Sequence, residues 1–518
     1  MKTFKINGFK IIGVFAIASF FLGACQKERS ATTGWNQNDP KNGGFEVAPW
    51  DGQETGPGLV FVEGGTFTMG RVEQDVRYDW DNIPRRATVS SFYMDETEVA
   101  NVDYREYLYW ISRVFSASYP EVYKRALPDT LVWRSKLGFN EPYVELYLRH
   151  PAYNYYPVVG VNWLQATDYC AWRTDRVNEQ ILIREGILQT NPNQVDEDNF
   201  NTDAYLAGQY EGLVRSDLID LDPNKDTRKV RIEDGILLPR YRLPTEAEWE
   251  FAALGLIGNT VFERVTERRL YPWNGAYMRN ADDQFKGEMM ANFKRGKGDN
   301  MGAAGLLNDR ANIPTDVSSY WPNDYGLYCM AGNVSEWVKD VYRPLSMEDD
   351  DDFNMFRGNV FKTQLREEEG EIAEKDSLGR IIWRDVSEEE NTQRRNYKKS
   401  DNINFLDGDY SSSIFYTNDD YNTGGLKEPK RMYEWGATSL INDEAHVYKG
   451  GSWKDRAYWL VPGTRRYLDA KQSTDDIGFR CAMVRVGSQT MDSIHLITEL
   501  KPRATMAWGF LFFGHEDF

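Results

Sequence analysis

Sulfur and imidazole are scarce in this chain. Its 518 residues include four cysteines (Cys25, Cys170, Cys329, Cys481) and four histidines (His150, His446, His495, His515). None of them forms an H-x-x-x-H or C-x-x-C pair, so the ligand spacing of a zinc site is missing. No cysteine lies between Cys329 and Cys481, a long stretch without a thiolate to hold a soft metal such as Cu(I). Positive charge is short as well: 61 Lys and Arg face 80 Asp and Glu, for a formal net charge of −19. A nucleic-acid groove needs clustered Lys and Arg, so this balance argues against one and suits a solvated periplasmic or extracellular surface. A helix that crosses a bilayer takes roughly 20 apolar residues, and the two most apolar runs, 11–22 and 506–513, fall short of that. Core material is plentiful, with 16 Trp, 30 Tyr and 26 Phe. On length alone, about two to four domains fit.

The first residues read as an address. Lys2, Lys5 and Lys10 form a basic region, and Ile11–Leu22 is an apolar run of signal-peptide length. Leu22-Gly23-Ala24-Cys25 then matches the bacterial lipobox, in which small residues admit the lipoprotein signal peptidase. Residues 1–24 are therefore expected to be removed and Cys25 lipidated, its acyl chains anchoring the protein at ~0.8 kcal/mol per buried CH₂. Gln26-Lys27 follows the cysteine where an inner-membrane retention signal usually has Asp, which favours the outer membrane, periplasmic face. Residues 25–57, rich in Gly, Asn, Asp, Thr and Pro, read as a flexible tether. The remaining three cysteines are an odd number, so they make no complete disulfide framework and are expected as buried thiols.

The body follows as residues 58–486. Val60-Phe61-Val62 and the glycine-flanked run Gly64–Gly70 predict a hairpin, and Phe92–Val99 a further strand leading to a helix from Asn101. Asn162 with Gln165, and Thr245 with Glu248, predict two capping boxes that open helices. Trp249, Ala252 and Ala253 supply the second helix with a buried stripe. The carboxylates of Glu246, Glu248 and Glu250 are then expected as caps and helix-surface charges. Ile477–Val486 alternates like a buried closing strand. Two insertions interrupt this order, at about 175–238 (with a helix over Val177–Ile187) and 343–445. The second carries the acidic runs Glu348–Asp352, Glu367–Glu369 and Glu388–Glu390, interspersed with aromatics such as Phe353, Trp383 and Tyr416, and is expected to pack in part. The tail, 487–518, ends in the apolar Met506–Phe513, either a docked strand or a peptide that adds to a partner sheet.

Two runs carry a resemblance. Gly450–Cys481 opens with Gly-Gly-Ser-Trp and closes with Gly478-Phe479-Arg480-Cys481, and Gly326–Trp337 reads GLYCMAGNVSEW. Both resemble the sulfatase-modifying-factor, or formylglycine-generating-enzyme-like, domain. That resemblance implies an irregular α+β fold related to C-type lectins. It implies a structural calcium held by the carbonyls of Gly332 and Val334 and the carboxylate of Glu336, and a second near Asn292, Phe293, Asn308 and Asp309. Cys329 stands where the family usually has Asn or Asp, and Ser335 where many members have Trp. Members that oxidise a sulfatase cysteine have two reactive cysteines in the closing run. Asp455 stands at about the first of those positions here, and Leu460 or a near neighbour at the second. No catalytic residue is therefore expected.

The lipobox, the acidic balance and the insertions together resemble the gliding-motility lipoproteins of Bacteroidetes. Membership there implies a non-catalytic outer-membrane component of gliding and type IX secretion, with GldK-type ring lipoproteins as partners. The alternatives are an oxidase acting on protein cysteines, or a peptide- or glycan-binding module that uses the degenerate groove.

Overall fold

The computed structural model describes residues 29–50, 52–71, 81–255, 269–273, 276–295, 313–343, 353–358, 360–387, 390 and 444–487, with the two-residue strands 414–415 and 430–431. Cys25, Asn308, Asp309, the acidic run 348–352 and the tail 488–518 lie outside the described residues. Among those described, no helix is long and apolar enough to cross a membrane.

The architecture is α+β. One antiparallel sheet has the order β1 (Leu59–Val62), β4 (Phe92–Asp95), β10 (Ala482–Val484), β5 (Tyr241–Arg242). A second has the order β8 (Arg466–Asp469), β7 (Ala445–Lys449), β6 (Ser335–Val341), β9 (Ile477–Gly478), with β9 parallel to β6 and the other pairs antiparallel. The two runs that carry the resemblance thus supply most of the second sheet. Three longer helices complete the frame: α1 (Asn101–Phe115), α2 (Trp163–Arg184) and α3 (Glu246–Leu254).

Several expectations change. The run 60–70 does not fold back on itself, because β1 pairs with β4 while β2 (Gly65–Met69) pairs with β3 (Arg85–Val89). Alternation identifies a strand and its buried face, but carries no information about its partner. The closing stretch is two strands rather than one. Phe479, Arg480 and Cys481 are all fully buried, which a regular alternation against one sheet face does not permit, and the chain leaves β9 and enters the other sheet as β10. The helix expected over Val177–Ile187 is the second half of α2.

Both capping boxes form. The Gln165 amide donates to the Asn162 side chain and the Asn162 amide to that of Gln165, each at 2.9 Å. At α3 the Glu248 amide donates to Thr245 Oγ1 (3.2 Å) and the Thr245 amide to the Glu248 carboxylate (2.8 Å). Such reciprocal satisfaction of orphan donors contributes on the order of 1 kcal/mol per cap. The stripe on α3 is buried as expected, and with Phe67, Met94, Val338, Val447 and Ala482 it forms the main core. Glu246 and Glu250, expected on the helix surface, are buried too: Arg465 binds Glu246 through Nε and Nη2 (both 2.8 Å), and Lys449 Nζ reaches Glu246 (3.2 Å) and Glu250 (3.1 Å). Helical periodicity marked these positions as polar and so as solvent-facing; the cations that let them go inside come from β7 and the start of β8, about 200 residues away.

The chain divides into two compact units. The smaller contains residues 29–50 with Ile181–Thr190 and Leu213–Leu237. In it the stretch expected as a tether has fixed contacts: the Val47 amide donates to the Asn38 side chain (2.8 Å), and Arg228 bridges Glu46 and Asp234. The larger unit contains everything discussed below. In its long insertion Lys362–Gln364 pairs with Trp383–Asp385, and Met355, Ile381 and Val386 are buried, so the described part packs as expected.

Candidate functional site

The closing run places a polar turn directly after β7. Gly450 (φ +92°) and Gly451 (φ +68°) reverse the chain, and a Cβ on Gly451 would lie 2.9 Å from the carbonyl oxygen of Trp459. Only glycine fits both the backbone angle and the space. The turn that follows is closed by Asp455, whose carboxylate accepts from the Ser452 amide (2.9 Å) and Ser452 Oγ (2.7 Å). Arg466 on β8 then binds Asp455 with both arms (2.8 and 2.6 Å) and donates to Ser335 Oγ on β6 (3.0 Å). Its guanidinium lies over the rings of Tyr448 and Trp459 at 4.8 and 4.6 Å. Asp455 is therefore the acceptor that holds a surface turn to the sheet by a bidentate pair. Leu460 is fully buried, among Tyr271, Ala291, Phe293 and Ala331. Neither position offers a sulfur atom or an open ligand.

The cysteines are elsewhere, and all three are buried. Cys329 Sγ approaches the Val317 carbonyl (3.5 Å), and burial, followed by the nearby Glu98 charge, pushes its thiol well above the ordinary range. Cys481 meets Cys170 at 3.2 Å; burial, then the neighbouring sulfur, raises its thiol likewise. Neither is poised as a thiolate. Among the described residues, no group of three His, Cys, Asp or Glu side chains could hold a metal ion.

Of the residues expected to hold calcium, Asn292 and Phe293 lie against the loop at Gly332, and Asn308 and Asp309 are outside the described residues. Gly332 (φ +79°) has no room for a Cβ, which would lie 2.4 Å from the Asn292 carbonyl oxygen. That oxygen accepts from the Asn333 amide (2.9 Å), and the Asn292 side chain donates to the Ile313 carbonyl (2.9 Å). Phe293 and Val334 are buried apolar residues. The Glu336 carboxylate, however, is gripped by Arg480 Nε (2.7 Å) and Nη2 (2.6 Å) and accepts from Trp249 Nε1 (2.8 Å). Glu98, which no sequence pattern singled out, lies beside it and accepts from Asn333 Nδ2 (2.6 Å) and the Val334 amide (3.1 Å). Burial, then the Glu336 charge, holds the Glu98 carboxyl well above its ordinary value; Arg480 opposes this. A hard dication needs about six oxygens with net negative charge. Here the Glu336 carboxylate is already matched by a guanidinium, so among the described residues it is poorly placed to anchor a dication. Glu336, expected as the anchor of a metal, is the partner of Arg480. The signal was in the sequence, in the arginine of Gly-Phe-Arg-Cys. What it pairs with, 144 positions earlier, was not.

A sequence model of the sulfatase-modifying factor enzyme 1-like domain matches residues 44–393. The formylglycine-generating enzyme of Mus musculus is 26% identical over 307 residues, 54% of this chain and 58% of that enzyme, so the chain spans less than two thirds of it. The inactive Cα-formylglycine-generating enzyme 2 of the same organism is 25% identical over 320 residues, 57% of this chain and 73% of that protein. Relatives thus include a protein named as an enzyme and one named as inactive. Among solved structures, PvdO from Pseudomonas aeruginosa aligns at 16% identity and a TM-score of 0.38, covering 82% of this chain and 93% of that one. On the strength of the domain match, the chain belongs to the sulfatase-modifying factor enzyme 1-like, or formylglycine-generating-enzyme-like, family.

Proposed function

We propose that this protein is a non-catalytic member of the family, a GldJ-like lipoprotein that supports gliding motility and type IX secretion as a structural component. One observation carries the non-catalytic part. Where the oxidising members need two thiolates for Cu(I), this chain has Asp455, closed in a bidentate pair with Arg466, and Leu460, buried in the core. Removing a soft-metal pair while keeping the turn that presented it leaves a scaffold. The lipobox at Cys25 supports a lipid anchor in the outer membrane with the folded units in the periplasm, and the long acidic insertion and apolar tail supply surface for ring lipoproteins of the GldK type.

A Cu(I) titration with a peptide-oxidation assay on a cysteine substrate tests the first part. No stoichiometric copper and no turnover are expected; turnover would overturn it. Affinity purification from detergent-solubilised outer membrane tests the second, with ring lipoproteins expected to accompany the full chain and to be reduced by truncation before Met506. Recovery of the protein alone would count against an assembly role.

A further inference from the structure

An open cavity of about 200 Å³ lies between α1 and α2, and shares none of its lining residues with the Asp455 turn. At ~30 Å³ for each water in the liquid, it has room for roughly six waters or one six-membered ring with substituents. Its long wall is aromatic. Trp172 on α2 lies 5.3 Å from Tyr107 and 6.5 Å from Trp110, both on α1. Spacings of three and four residues (Tyr107 with Trp110, Asp168 with Trp172) put each pair on one helix face. Arg125, from the short helix Pro120–Ala126, and Arg380, from the long insertion, close the other sides.

Asp168 is exposed at the mouth of the cavity, and among the described residues no hydrogen-bond donor or ion-pair partner reaches its carboxylate, so water or a ligand must serve it. Arg380, itself paired with Asp376, and Arg125 act on it through space. The Tyr107 hydroxyl also has no partner among the described residues, and the indole N–H groups of Trp110 and Trp172 are buried behind the wall with no acceptor.

This combination selects a ligand class. A cation would satisfy Asp168 but meet Arg125 and Arg380, and an anion would satisfy those but meet Asp168 and Asp175, which also lines the cavity. A purely apolar ligand would suit the rings but displace water from the Asp168 carboxylate without replacing its hydrogen bonds, which is unfavourable. Hydroxyl groups both donate and accept, and so serve carboxylate, guanidinium and phenol alike. The C–H face of a sugar ring suits a flat indole. We propose that the cavity is a binding site for one pyranose unit of a glycan, with Trp172 as the stacking face and the Tyr107 hydroxyl, Asp168 and Arg125 as hydrogen-bond partners. It does not rest on the functional reading above, and it lies outside the degenerate groove.

The test is a titration of the full chain with glucose, galactose, mannose and N-acetylglucosamine, followed by saturation-transfer NMR and tryptophan fluorescence. Lysine, acetate and phenylalanine serve as cationic, anionic and zwitterionic comparisons. Saturable binding of at least one sugar is expected in the millimolar range, with Asp168→Asn and Tyr107→Phe each weakening it about tenfold at an unchanged thermal midpoint. Asp455→Asn should leave that affinity intact. The proposal falls if no sugar saturates, if Asp168→Asn and Tyr107→Phe bind like the unaltered protein, if Asp455→Asn abolishes binding, or if a charged comparison compound binds and the sugars do not.

Discussion

Replacing Glu336 with Leu removes the carboxylate that grips two arms of Arg480 and leaves that guanidinium in a site with no solvent exposure. Breaking a buried ion pair from one side costs about 3–5 kcal/mol, chiefly because the surviving charge is stranded. Trp249 Nε1 loses its acceptor in the same step, and an unmet buried donor costs a further ~1–3 kcal/mol. The two do not simply add, so a loss of at least about 3 kcal/mol is expected. The reverse change, Arg480→Met, strands Glu336 and also leaves the carbonyls of Asp95 and Tyr328 without their donor (3.1 and 2.8 Å). The double variant retains no unpaired charge at that pair. It should therefore be more stable than the sum of the single losses predicts, by a coupling of about 0.5–3 kcal/mol. It should not regain full stability, because the two carbonyls remain unmet. Urea denaturation measures all four proteins, with an unchanged m-value as the sign that only stability has moved. If Glu336→Leu costs under about 1 kcal/mol, or if the single losses add, then Arg480 does not hold Glu336 as described.

The same geometry predicts that millimolar calcium shifts the unfolding midpoint no more than magnesium does. A binding site filled to a hundred times its Kd would add ~2.7 kcal/mol, so a calcium-specific rise of that size would restore the metal reading. His446, stacked on Trp163 at 3.8 Å, has its pKa lowered to about 4 by burial, while an unfolded His titrates near ~6.5. The unfolded chain therefore binds the extra proton between these values, and stability present above pH ~6.5 should fall by up to about 3 kcal/mol as pH drops toward 4. His446→Phe keeps a stacked ring and should flatten that part of a pH–stability profile; an unchanged slope would exclude His446 as its source. Cys170 and Cys481, 3.2 Å apart and buried, should close to a disulfide under oxidised glutathione, with a gain of about 2–4 kcal/mol. Alkylation after unfolding without reductant, read by mass spectrometry, should then mark Cys329 and spare the pair; labelling of both would refute it. Gly451→Ala should cost well over 1 kcal/mol, since the added Cβ meets both a positive φ and the Trp459 carbonyl. An unchanged urea midpoint would refute that.

Local signals in the sequence translated faithfully. Thr245 with Glu248 and Asn162 with Gln165 make their boxes because each bond closes over three residues, and a glycine pair marks a turn because φ is a property of one residue. Non-local outcomes were another matter. Which strand β1 joins depends on residues 30 to 36 positions on, and whether Glu250 faces water depends on Lys449, 199 positions away. The cavity between α1 and α2 is a clear case. Its helix faces could be read from spacing, but the wall closed by Arg380 comes from an insertion whose placement no periodicity encodes.

By itself, then, the sequence determined the family, the turns and caps that frame its motifs, and the absence of cysteine between Cys329 and Cys481, because all of these are properties of residue type and short spacing. Tertiary structure decided what the buried polar groups and thiols pair with. Glu336 answers to Arg480, Asp455 to Arg466 and Cys170 to Cys481 across separations of 144, 11 and 311 residues. A buried charge or thiol takes its character from whatever folding brings within a few ångströms of it.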